Sequence, residues 1–262
     1  MTMRIRSIRS NLILAFALVI TFGMVMLGAF TLYVFKTTIL KNARNTTSQL
    51  VGQLNRVIEA YISYMDDIAL VVMGNADVAT LNRGQVPDRG TAARVEGFLH
   101  GIRMVRSDID SIFLVPRSGL TLTSDPERPL NPHADGQQAW IDANRRPGQT
   151  RIVSPARVEN LFGDRYTWVI SLVREFLDHG FVQVDLNYAI IDELCRKVQL
   201  GASGYIFIIN AQGEIVYHPR QQLIYAKLKT ERISDLLALR NGELNAVIDG
   251  REAIYTAQTS VQ

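Results

Sequence analysis

From Asn11 to Phe35 the chain runs for 25 residues without a formal charge, nearly all apolar, with Arg4, Arg6 and Arg9 before the run and Lys36 after it. At 1.5 Å per residue such a helix measures about 37 Å, enough to cross a hydrocarbon core of about 30 Å with some tilt. The alternative, a cleaved signal peptide, has an apolar core of about 7 to 15 residues ahead of a small-x-small site. This run is longer and shows no clean site before Lys36. It reads as a transmembrane helix with the lipid bilayer as partner, and the region after residue 36 reads as held against one membrane face.

Charge supports that division. The formal net charge is +3, yet the six basic residues up to position 44 stand where no Asp or Glu occurs. Without Arg4, Arg6, Arg9, Lys36, Lys41 and Arg44, 22 basic residues face 25 acidic ones. The basic character thus belongs to the anchor, where it meets anionic headgroups. The later Arg residues are interleaved with acids and show no aromatic platform, so no nucleic-acid partner is expected. The positive-inside count is nearly balanced and favours residues 1–10 as a cytoplasmic tail only by their shortness. Cys195 is the only cysteine, which excludes an internal disulfide and a small disulfide-stapled scaffold.

Between Thr37 and about Ala79 there is no proline, and the only glycines are Gly52 and Gly74. Val51, Ile58, Met65 and Val72 recur every seven residues, with Leu54, Tyr61 and Ile68 in the three-residue step. This is a heptad seam on a stalk helix over residues 36–79, able to dimerise or to pack on its own domain. Gly84, Pro87 and Gly90 break the pattern, and Val95, Phe98, Leu99, Ile102 and Val105 start a second helix.

The period then shortens. Ile109–Val115 and Leu120–Thr123 read as strands, and three prolines make residues 124–136 a loop. Trp140 and Ile141 lie on a short helix stopped near Pro147-Gly148. Tyr166, Trp168, Ile170 and Leu172 share one face of an extended run that turns back through Phe181–Leu186, an antiparallel hairpin. Residues 187–198 return to helical spacing. A strand–turn–strand unit then follows over Tyr205–His218, with a helix through Ile233–Leu239 and short strands near 244–248 and 253–258. The arrangement resembles residues 110–122, so one small module occurs twice. The expected fold class is α+β.

The strings Val184-Asp185-Leu186-Asn187-Tyr188, Leu200-Gly201, Gly204-Tyr205-Ile206-Phe207-Ile208-Ile209 and Gly213-Glu214-Ile215-Val216-Tyr217-His218-Pro219 resemble the extracytoplasmic double Cache sensor region of YesM-like bacterial sensor histidine kinases. The resemblance covers essentially the whole chain and is closest over residues 165–220. It implies two PAS-like modules with antiparallel sheets, membrane-distal over 80–198 and membrane-proximal over 199–262, the second reading as truncated. It also implies an N-terminus inside, residues after 36 outside, and a homodimer. In that family a second span, a HAMP linker and a kinase region follow. ATP and Mg are expected only there, as is a response-regulator partner.

This chain shows no GxxxxGK[ST] motif, and His100, His133, His179 and His218 form no metal-binding spacing, so neither cofactor nor metal is expected in it. Hydrolase readings are weak as well: Ser203 lies outside a G-x-S-x-G context, and Asp108 with Asp110 is a lone carboxylate pair.

A sensor pocket needs apolar walls and a few fixed polar groups. Trp140, Arg145, Arg146, Tyr166, Trp168 and Asp185 are the candidates: aromatic faces for stacking, Arg for an anion, Asp for an amine or hydroxyl. The plainer reading has Tyr166 and Trp168 covering the sheet, Asp185 capping the next helix and the Arg pair solvated. The expected function is a signal-input region of a histidine kinase in a two-component system. It would receive an extracellular sugar, an amino acid or a binding protein. The alternatives are a chemoreceptor sensor or a membrane-tethered structural module without a ligand.

Overall fold

The computed structural model describes residues 8–83, 89–131, 141, 150–164, 166–176, 180–198, 200–201, 204–248 and 251–259. The chain divides into two compact units, residues 1–50 and 51–262. In the first, the described residues are helical and belong to α1 (Ile8–Met73), a helix of 66 residues. Its apolar side chains from Leu12 to Phe35 are exposed, and an 18-residue window reaches a mean hydropathy of 2.5 with none of it buried. Among the described residues this is the one helix long and apolar enough to cross a membrane. Two of its hydroxyls bond back along the helix: Thr21 Oγ1 donates to Ala17 O at 2.8 Å and Thr37 Oγ1 to Tyr33 O at 3.0 Å. A helix surrounded by hydrocarbon requires that internal satisfaction.

In the second unit, Leu54, Met65, Ile68, Ala69 and Val72 of α1 are buried, and Ile58, Tyr61 and Ile62 pack half-buried against the same core. The heptad seam therefore meets this chain's own sheet. The helix stops before the expected residue 79. Asn75 adopts an extended conformation, and its Oδ1 accepts from Asp77 N at 2.9 Å and Val78 N at 3.3 Å, capping α2 (Ala76–Asn82). Then comes α3 (Arg89–Val105), which buries Val95 and Leu99.

Six strands form one antiparallel sheet: β1 (Ile109–Val115), β2 (Leu122–Thr123), β3 (Arg151–Val153), β4 (Arg157–Val158), β5 (Trp168–Glu175) and β6 (Phe181–Asn187). The order is β2-β1-β6-β5-β3, with β4 also paired to β5. Gly180, at φ +92°, enters β6 within 2.6 Å of Val115 O as measured from an ideal Cβ, a position only glycine fits. One sheet face carries Ile112, Leu114, Ile170, Leu172, Val182, Val184 and Leu186 into the core shared with α1 and α3. Arg174 on that face and Arg151 of β3 both pair with Asp66, pinning α1 to the sheet.

Next is α4 (Tyr188–Lys197), whose N-cap is Asn187, accepting from Ala189 N at 2.9 Å. The cap is thus Asn187 and not Asp185. The remaining elements are a hairpin of β7 (Ile208–Ile209) and β8 (Ile215–Tyr217), α5 (Gln221–Tyr225), α6 (Ile233–Leu239), and a hairpin of β9 (Gly242–Ile248) and β10 (Arg251–Ala257). Gly213 turns the first hairpin at φ +82°, and an added Cβ would meet Ile233 and Leu237 at 2.9 Å.

Candidate functional site

The sheet's second face is where polar groups gather. Register aligns Ser111 of β1 with Asp185 of β6 and Ser171 of β5, and all three are fully buried. These are inward positions of strands otherwise filled with Val, Ile and Phe, and buried polar side chains at such positions need partners. Ser111 Oγ donates to Asp185 Oδ2 at 2.9 Å, and Gln183 Nε2 donates to Asp185 Oδ1 at 2.8 Å and Oδ2 at 3.0 Å. Arg157 of β4 brings Nη2 to 3.7 Å from Asp185 Oδ1 while its Nε donates to Ser171 Oγ at 3.0 Å. The result is one carboxylate held by neutral donors with a guanidinium beside it.

The segment from Ser154 to Gly163 lies over this face. Ser171 N donates to Ser154 Oγ at 2.8 Å, and Phe162 stacks on Phe113 at 5.2 Å between centroids. The segment is tied to the preceding loop by Asn131 N to Leu161 O at 2.8 Å and Gly163 N to Pro129 O at 3.0 Å. Within it Glu159 is fully buried, and its Oε1 accepts from Leu161 N and from Phe162 N at 3.3 Å. Its Oε2 has no hydrogen-bond partner among the described residues. Burial pushes the Glu159 carboxyl up to about 7, with Asp185 adding to the rise and the two backbone donors and Arg157 opposing it.

The expected pocket residues part company here. Asp185 sits at the centre of the polar face. Trp168 lies on β5 with the parity of Ile170 and Leu172, so it belongs to the opposite face from Asp185. Its ring meets Tyr225 edge-on at 5.5 Å and Tyr188 at 6.1 Å. A pocket lined by Trp168 and Asp185 together is therefore not formed, because alternation along one strand fixes the two on different sides. Tyr166 precedes the strand and is 77% exposed. Trp140, Arg145 and Arg146 lie outside the described residues, as do His133 and His179. Sequence reasoning missed Ser111, Arg157, Glu159, Ser171 and Gln183. The signal was present in Ser111 and Ser171, polar interruptions at the inward period of apolar strands.

Other sequence candidates resolve as structural groups. Asp108 pairs with Arg106, which holds its carboxyl below the usual range. Cys195 is buried, and burial pushes its thiol up to about 12. No group of three or more His, Cys, Asp or Glu side chains among the described residues is arranged to hold a metal ion.

The family model described as dCache_1, Cache domain, matches residues 34–261. The chain belongs to the Cache domain family. It is 22% identical over 250 residues to the methyl-accepting chemotaxis protein McpA of Bacillus subtilis, covering 94% of this chain and 36% of that protein. The chain thus spans about a third of the length of that relative. Among solved structures it is similar to the sensory domain of the Campylobacter jejuni chemoreceptor Tlp3 with isoleucine bound. There the TM-score is 0.57 at 15% identity, with 86% of this chain and 91% of that one covered. It is also similar to the ligand-binding domain of the Pseudomonas aeruginosa PAO1 amino acid chemoreceptor PctC with GABA (TM-score 0.51, 16% identity, 78% and 88% covered). An extracellular domain assigned to a histidine kinase, mmHK1S-Z2, aligns with TM-score 0.54 at 12% identity, 82% and 92% covered. At these identities the likeness is one of fold. As a Cache domain the chain is a sensory module and not a catalytic one.

Proposed function

We propose that this Cache domain is the extracytoplasmic signal-input region of a membrane receptor, with residues 11–35 in the bilayer, and that it binds a small polar solute at the face carrying Asp185. The observation behind this is the fully buried Asp185 carboxylate between Ser111, Ser171 and Arg157. An ionised carboxylate offers about four acceptor sites. Three hydrogen bonds reach Asp185 from Ser111 and Gln183, so one acceptor site remains, beside Arg157 Nη2, for an ammonium or hydroxyl donor. Amino acids are the first ligand class to try, given what Tlp3 and PctC hold, and sugars the second.

In this reading residues 80–198 and 199–262 are two Cache modules, and two copies of the chain act together. The output is a histidine kinase that signals through a response regulator. The match along nearly the full chain to McpA favours a second reading, a chemoreceptor output. Binding at one site biases a pre-existing pair of conformations whichever output follows.

A thermal-shift screen of the full chain in detergent against amino acids, GABA and sugars tests the site. Saturating ligand at about 100 Kd stabilises by about 2.7 kcal/mol, a rise of about 5 to 10 °C for a domain of this size. Asp185→Asn is expected to abolish the rise. A full rise in Asp185→Asn places the ligand elsewhere.

A further inference from the structure

Outside the polar face, Glu231 is a densely bonded carboxylate whose side chain is 2% exposed. Tyr205 Oη and Lys229 Nζ reach its Oε1 at 2.8 Å and His218 Nε2 at 3.1 Å, while Tyr255 Oη donates to Oε2 at 3.0 Å. These donors come from the segment before β7, the end of β8, the loop before α6 and strand β10. Burial raises the Glu231 carboxyl, but the four donors outweigh it and leave its pKa below the ordinary carboxylate value. His218 is fixed as firmly. Its Nδ1 accepts from Arg220 N at 2.9 Å, so the ring proton sits on Nε2 and points at Glu231.

The same histidine also meets α4. Its carbonyl accepts from Tyr188 Oη at 2.8 Å, and Tyr188 is the first residue of α4, three positions after Asp185 on the continuous run from β6. The Tyr188 ring packs on Trp168 of β5 and on Tyr217. At the other end, three residues beyond Tyr255, Gln258 lies against α1. Its Oε1 is 2.9 Å from where a Cβ on Gly52 would stand, and Gly52 is buried. A larger residue at position 52 would displace that amide.

We infer that Glu231 is a latch: through His218 and Tyr188 it ties hairpin β9–β10 to the end of the sheet that carries Asp185, and through Tyr255 and Gln258 it carries a displacement there to Gly52 of α1. The input end rests on the proposed ligand site; the latch itself does not. The steps are hydrogen bonds, short stretches of chain and the close approach of Gln258 to the backbone at Gly52, a contiguous network of the kind that can carry coupling between separated sites. Losing any one of the four donors leaves a buried carboxylate under-satisfied, so the set holds or breaks together.

Amide hydrogen exchange of the full chain in lipid nanodiscs tests the latch without any ligand. Tyr188→Phe removes the hydroxyl that reaches His218 O. Loss of one such bond should raise exchange at residues 251–257 by about 2- to 10-fold. Coupling is reciprocal, so Tyr255→Phe should raise exchange at residues 186–190. Arg94→Ala, which removes an exposed pair with Asp77, should change neither. Effects confined to each variant's own segment would overturn the route, and so would a uniform rise that includes β1. Because no solute is present, a failed ligand screen leaves this result standing, and a failed exchange experiment leaves the ligand site standing.

Discussion

Glu159 sits fully buried in an environment that its neighbours in sequence do not announce. Its folded pKa of about 7 lies above the ordinary value of 4.5. A carboxyl raised in the folded state contributes stability that is complete below its unfolded pKa and is lost as pH climbs through the folded one. The wild-type chain should therefore lose stability between about pH 4.5 and 7, by on the order of 3 kcal/mol from this group. Glu159→Gln keeps the acceptor for Leu161 N and Phe162 N but has no proton to lose. Its melting temperature relative to wild type should rise from pH 5 to pH 8, and parallel pH curves for the two proteins would contradict the assignment. None of this was readable beforehand. Asp185 could be singled out because it interrupts an apolar strand within a familiar string, but its partner Ser111 is 74 residues away. Only strand register reveals that Ser111, Asp185 and Ser171 form one row. The same register puts Trp168 on the other side.

At the level of elements the sequence was far more legible. The strand expected over Ile109–Val115 is β1, and the hairpin expected around residue 180 is β5 and β6, because apolar runs bounded by turn residues carry their own boundaries. The stalk was legible as a helix but not in its partner. A seven-residue seam fits a second copy or the chain's own sheet equally well, and the pair of arginines that pins α1 to the sheet through Asp66 comes from 85 and 108 residues away. With Leu54, Met65, Ile68 and Val72 buried in the fold, a dimer must use another stripe of α1. Val57 is 40% exposed and lines an open groove of about 550 Å³ with Tyr61, Tyr64 and Arg106, whereas Ile58 packs into the core. Cysteine crosslinking in native membranes should therefore trap a dimer at Val57→Cys and not at Ile58→Cys. Equal trapping at both positions would mean that α1 leaves its own sheet, and none at Val57 would remove this stripe as a dimer seam.

For the molecule as a whole the question is which side of the bilayer each part occupies, since the proposed signal-input role requires the binding face outside and the output inside. The proposed arrangement puts the tail before Asn11 inside and the helix beyond Phe35 outside. Flanking charge alone decides this poorly: three Arg residues precede the apolar run, and Lys36, Lys41 and Arg44 follow it. The single native cysteine makes a direct measurement possible. Cys195 is buried with its thiol pushed up to about 12, so little thiolate exists near neutral pH and background labelling should be low. Single cysteines at Ser10 and Thr38 then report the two ends of the span. A membrane-impermeant maleimide applied to intact cells should label Thr38→Cys at once, and Ser10→Cys only after the membrane is opened. The reverse pattern would put the Asp185 face in the cytoplasm, where an extracellular solute cannot reach it. Labelling of both sites in intact cells would mean that the apolar helix does not span the membrane. In that case Gly52 and the elements resting on it would have no fixed bilayer to work against, and a signal arriving at α1 would have nowhere to go.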